Sequence, residues 1–203
     1  MRKLESDAEL KEFSKNFSMY SGGELPFYYL RICIVYGAFR AGRMVGGFAV
    51  ATGDNIRWVS VIKNPCPFVE QAGIKNLSEI NGVWAIPEIA GEIDVKEIWH
   101  KLFDVVLSLD TPFITCATIA EKKGLIKRYR GVGKEIYRGP WEGRGDAVAF
   151  NINPMKLRLV RLRFVHLYTG RFFRKLFSKK QIPTSGSQTS DSPVRSLHPA
   201  ASD

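Results

Sequence analysis

"RYRGVGKE", Arg128 to Glu135, decides how the second half of the chain is read. It contains Arg-x-x-Gly-x-Gly, the spacing of a pyrophosphate-cradling loop. Such a loop works by converging backbone amides on phosphate oxygens at the start of a helix, so it must follow a strand and open a helix. The chain continues instead with "KEIYRGPWEGRG", where Gly139 and Pro140 arrive too soon for a helix of useful length. The helical "EKKGLIKRY" lies before it. The glycines are therefore expected to close a short helix ahead of a strand.

Upstream, Leu10, Phe13 and Phe17 recur at helical spacing among Lys and Glu, with Ser6 or Asp7 available as cap. "RICIVYGAFRAGRMVGGFAVAT", Arg31 to Thr52, is rich in β-formers on both sides of "AGR" and predicts two strands joined by a tight turn. "NIRWVSVI" predicts a further strand, and "KNPCPFVEQAGIKN", with two prolines and a glycine, a loop. "SEINGVWAI" reads as a strand stopped by Pro87. Asp94 can cap a helix whose Ile98, Leu102, Val105, Val106 and Leu109 share a face. "TPFITCATI" predicts a strand, and "GKEIYRGPWEGRGDAVAFNI" two strands around a Gly-rich turn. This order implies a mixed α/β (α+β) sheet domain over residues 1–152.

Charge divides the 203 residues unevenly. Residues 1–150 hold 20 basic and 18 acidic side chains, residues 151–180 hold 9 basic and none acidic, and residues 181–203 hold 1 and 2. Cys33, Cys66 and Cys116 form no CxxC and suggest neither a disulfide framework nor a zinc site. With no apolar run near the start or of membrane-spanning length, the expectation is a cytoplasmic protein, with attachment at a membrane surface left open.

"GLIKRYRGVGKEIYRG" resembles the end of the GNAT-type N-acetyltransferase fold, where a short helix bears a tyrosine, a glycine follows four residues later and a strand begins; Tyr129 and Gly133 take those places. "YGAFRAGRMVGGFAVA" is similar to that family's second and third strands, and "INGVWAIPEIAGE" to its fourth strand and the Pro-Glu that ends it. The resemblance covers residues 5 to 152 and implies a mainly antiparallel sheet flanked by helices, an acyl-coenzyme A or acetyl-coenzyme A donor and an amine-bearing acceptor. The chain departs from the family where the coenzyme A loop is expected: "EIAGEIDVKE" has one glycine, no arginine and four acids, which repel a pyrophosphate. Lys122 stands where an asparagine is usual, and residues 56–77 are extra.

Acyl transfer to an amine needs a base for its proton, a donor to the thioester oxygen and an acid for the leaving thiolate. The resemblance makes Tyr129 the acid; a tyrosine packed on the sheet is the other reading. Glu88 or Glu79, at either end of the fourth strand, would be the base. Ile86, Gly91 and Lys122 would flank the donor. His100 has Asp104 as its one near candidate partner for a metal and reads as structural, Cys116 in "FITCATI" reads as a small core residue, and no metal is expected.

In "NPMKLRLVRLRFVHLYTGRFFRKLFSKK", Arg171, Phe172, Phe173, Arg174 and Lys175 have the makeup of a basic interfacial helix. "KLRLVRLRF" partly alternates, which leaves a strand open there. An anionic membrane surface, acidic acyl carrier protein, and with less support nucleic acid, are the partners this extension (153–180) suggests; a terminal helix packed on the domain is the plain alternative. Residues 181–203, rich in Ser, Pro and Thr, read as a disordered tail. The sequence thus implies an N-acyltransferase using a thioester donor, or a GNAT-like scaffold without catalysis that serves as a membrane-associated module.

Overall fold

The computed structural model describes residues 1–89, 93–141 and 145–162. Helix α1 (Asp7–Ser21) starts with a capping box: Glu9 N donates to Ser6 Oγ while Ser6 N donates to Glu9 Oε2 at 3.1 Å. It ends at Gly22, whose φ of 68° lets its amide turn back to Ser18 O. A short helix α2 (Phe27–Leu30) follows.

Seven strands form one sheet: β1 (Arg2–Lys3), β2 (Ile34–Arg40), β3 (Arg43–Thr52), β4 (Leu77–Ala85), β5 (Phe113–Ile119), β6 (Gly133–Trp141) and β7 (Gly145–Ile152). Their spatial order is β1-β2-β3-β4-β5-β7-β6. Every neighbouring pair is antiparallel except β4 with β5. The expected tight turn between β2 and β3 consists of Ala41 and Gly42, both at positive φ, which suits the twist of a two-residue hairpin.

Strand β3 is buried from Met44 to Ala51, which explains its nearly unbroken apolar run. A Cβ on Gly46 would lie 2.6 Å from Ile98 of helix α5 (Ile93–Ser108), and one on Gly47 would lie 2.8 Å from Phe13 of α1. Consecutive strand residues point to opposite faces, so α1 and α5 cover the two sides of the sheet at this glycine pair. The main core fills both layers around Phe13, Phe48, Leu102 and Phe150.

Four expectations are corrected. "NIRWVSVI" contains a helix, α3 (Arg57–Val61), rather than a strand. Its Trp58, 1% exposed, is an anchor in a second core with Tyr137 and donates its indole N–H to Thr115 Oγ1 at 3.0 Å. Tertiary packing there overrides a β-rich composition. The expected loop 63–76 contains helix α4 (Pro67–Ala72), with Pro67 at the first helical position, where its missing N–H costs nothing, and Gly73 closing it. Helix α5 begins at Ile93, one residue ahead of Asp94, the expected cap. The alternation in 156–164 does not make a strand over its described part: residues 154–162 are helical and form α7. Asn153 Oδ1 caps this helix by accepting from Met155 N and Lys156 N at 2.9 and 3.1 Å.

Helix α6 (Lys123–Val132) runs through Gly131 and stops at Gly133, where β6 begins at once. No helix opens after the glycines. A Cβ on Gly133 would come 2.6 Å from Asn151 O, so this glycine is needed for close strand pairing.

Candidate active site

The single parallel ladder creates the site. Strands β4 and β5 pair only from Leu77↔Phe113 to Ile80↔Cys116. Beyond that point β4 continues to Ala85 with β3, while β5 continues to Ile119 with β7. Opposite β3, Phe48 alone faces Gly82 and Val83, a bulge that uses the φ of 58° at Gly82. The two strands part, and a cleft of about 1060 Å³ opens between them. Its walls come from the end of α1, the diverging parts of β4 and β5, the first half of α5 and helix α6.

Glu79 of β4 lines this cleft and is 3% exposed. Its Oε2 accepts from Arg57 N at 2.7 Å and from the Tyr29 hydroxyl at 3.3 Å; its Oε1 accepts from Asn81 Nδ2 at 3.2 Å. Burial raises its pKa to about 7 against the opposing pull of these hydrogen bonds. Burial, followed by the Glu79 charge, also pushes the Tyr29 hydroxyl well above its ordinary value. Arg57 lines the same part of the cleft and donates to Glu24 O.

Tyr129, on α6, also lines the cleft and is partly buried, with its ring 5.7 Å from Phe150. Burial, then Cys116, pushes its phenol well above the usual value, while Arg128 pulls the other way. Lys122 lines the cleft too, with Nζ 3.5 Å from Ser21 O. Trp84 of β4 stacks on Tyr20 at 5.7 Å, and its buried Nε1 has no hydrogen-bond partner among the described residues. Cys116 is fully buried in the ladder beside Ile80; burial, then Glu79, holds its thiol well above the ordinary range.

The structure therefore brings Glu79, Tyr129 and Lys122 to one cleft. Glu88 is exposed in a 3-10 turn (Pro87–Ile89) and does not line the cleft. Ile86 is buried, and its amide is already bonded to Val45 O at 3.0 Å. Gly91 and the group Arg171, Phe172, Phe173, Arg174 and Lys175 lie outside the described residues. Arg57, Tyr29 and Asn81 were not singled out from sequence; Arg57 and Tyr29 belong to segments whose local pattern says nothing of Glu79, whereas Asn81, two residues on in the same strand, could have been found from the alternation of a strand's faces. Among the described residues no three His, Cys, Asp or Glu side chains cluster as a metal site requires.

No family model matches the sequence, and neither does any curated protein. Solved structures do match. An N-acyl amino acid synthase from uncultured soil microbes is 11% identical, with 77% of this chain and 91% of that one covered at a TM-score of 0.60. A coenzyme A-dependent acyl-homoserine lactone synthase solved with MTA is also 11% identical, covering 78% and 81% at 0.53. Arabidopsis thaliana NAA60 in complex with acetyl-coenzyme A is 12% identical, covering 74% and 95% at 0.53. At these identities the likeness is one of fold, and with the strand order and the parting parallel pair it shows that the chain has a divergent GNAT-type N-acetyltransferase fold.

Proposed function

We propose that the protein is an N-acyltransferase that moves an acyl group from a thioester donor to an amine in the cleft between β4 and β5. One observation carries this: a buried carboxyl whose pKa is raised to about 7 and a tyrosine line the same cleft, where β4 and β5 part. The solved relatives, among them an N-acyl amino acid synthase and a complex with acetyl-coenzyme A, support the same class of chemistry.

In this reading the amine nitrogen attacks the thioester carbonyl, a C–N bond forms and the C–S bond breaks. Glu79, rather than exposed Glu88, takes the proton of the amine; a base with a pKa near the working pH is both deprotonated and basic enough to do so. Tyr29, Asn81 and the Arg57 amide hold its carboxylate in place. Beyond Ile80, backbone groups of β4 that point toward β5 have left that strand and are suited to receive an extended thioester arm. Trp84 Nε1 is a further donor in want of an acceptor.

Tyr129 faces the leaving sulfur. Its raised pKa makes full proton transfer to a thiolate uphill, so its part is to donate a hydrogen bond that spreads the developing charge, and the thiolate takes its proton from water as it leaves. Lys122 and Arg128, which line the same cleft, supply positive charge for phosphate groups of the donor, which the acid-rich segment after Pro87 would repel.

The direct assay offers acetyl-coenzyme A, a long-chain acyl-coenzyme A and an acylated carrier protein as donors against a panel of amines, following thiol release. Tyr129→Phe is expected to lower kcat about 10²-fold with the KM for donor little changed, because a hydrogen bond to the leaving group strengthens only as charge develops. Unchanged kcat in this variant removes Tyr129 from the mechanism. No transfer from any donor, together with no donor-induced rise in melting temperature, overturns the reading as a whole.

A further inference from the structure

Helix α7 has one side fastened and one side bare. Leu157 is 3% exposed and enters the main core, Val160 packs against that core, and Arg161 pairs with Asp104 of α5 at 2.5 Å. Met155, Leu159 and Leu162, by contrast, are 61%, 54% and 64% exposed. At about 100° per residue, these three fall within about 40° of one line along the helix, opposite the fastened side. Exposed Lys156 and Arg158 fall on either flank of that line.

From this arrangement we infer that α7 docks the protein on an anionic lipid surface, with Met155, Leu159 and Leu162 entering the headgroup layer and Lys156 and Arg158 meeting lipid phosphates. An apolar line with cations on both flanks is the cross-section of an interfacial helix. Charge favours lipid over other occupants. Residues 151–180 carry nine basic side chains and no acid, and the same mixture of cations with Phe, Leu and Val continues past α7 in the sequence. So long a run matches a planar anionic surface better than a groove on one protein. Nucleic acid would neutralise the cations and leave the three apolar side chains in water. Among the described residues no helix is long and apolar enough to cross a membrane, so the attachment is to the surface. This inference stands apart from the proposed acyl transfer and needs neither Glu79 nor Tyr129.

The test is cosedimentation of the full chain with vesicles of phosphatidylcholine alone or mixed with phosphatidylglycerol, at low and high salt. Binding is expected to the mixed vesicles, weakened by salt. The triple variant Met155→Ser, Leu159→Ser, Leu162→Ser should bind about tenfold more weakly or worse, with its melting temperature unchanged because those side chains touch no core. Lys156→Glu with Arg158→Glu should bind the mixed vesicles more weakly than the wild type does, with its melting temperature unchanged. Equal binding by the triple variant overturns the assignment to α7. So does absence of binding to either vesicle, whether the wild type then proves to be a dimer that the triple variant dissolves, or to retain a nucleic acid or an acidic carrier protein.

Discussion

Glu79→Gln is expected to lower kcat/KM by about 10²- to 10⁴-fold, the usual share of a positioned general base. In the wild type, activity should rise with pH through about 7 and level off above it, since the base must be deprotonated and its folded-state pKa is about 7. In the variant this inflection should disappear. The same substitution should act on stability in the opposite sense. The carboxyl's folded pKa is raised above its ordinary 4.5, so the folded state binds the proton more tightly and stability falls as pH rises from about 4.5 to about 7. Above that window the buried charge costs about 3 kcal/mol. Glutamine removes that cost and returns part of it, about 1–2 kcal/mol, because its amide nitrogen cannot accept from Asn81. Thermal melts at pH 5 and pH 8 should show the variant gaining on the wild type only at the higher pH. A variant that keeps full activity, or whose stability relative to wild type does not depend on pH, would exclude Glu79 as the base.

Gly47→Ala should be the most damaging small substitution in the sheet. Its Cβ would lie 2.3 Å from Tyr36 O, a backbone atom of the paired strand, and 2.8 Å from Phe13 on the covering helix. Neither can move without disturbing the β2–β3 ladder or α1. A loss of about 3 kcal/mol, seen as a fall of about 10 °C in melting temperature, is expected. Gly124→Ala is the control: nothing lies within 4 Å of its Cβ, and alanine favours the helix it occupies. Similar melts for the two variants would contradict the tight approach at Gly47.

The elements that could be read from sequence were those in which local pattern and tertiary demand agree. Val45 to Thr52 alternates little because β3 is covered on both sides, and "AGR" turns because Gly42 takes positive φ freely and Ala41 is held there beside it by the pairing of the two strands. Helix α5 shows its buried face in the spacing of Ile98, Leu102 and Val106. Arg57–Val61 could not be read correctly, because its helical shape depends on Trp58 reaching Thr115, 57 positions away. The site was half legible. Tyr129 and Glu79, both named from the sequence, line one cleft, but the contrast between exposed Glu88 and buried Glu79 comes from long-range packing of Tyr29 and Arg57, which no spacing along the chain encodes.

The position of Cys116 bears on how the acyl group travels. Thioesters exchange readily with thiolates, and a reactive cysteine at the fork would capture the acyl group as an enzyme-bound thioester before the amine arrived. Cys116 sits at the very end of the parallel ladder, yet it is sealed from solvent and kept protonated by its surroundings. In the proposed reaction the donor would thereby be spared capture at Cys116, and transfer would be direct, with donor and amine held together in a ternary complex. Intact-mass measurement after incubation with donor alone should show the unmodified chain; an acyl adduct on Cys116 would point instead to a ping-pong course.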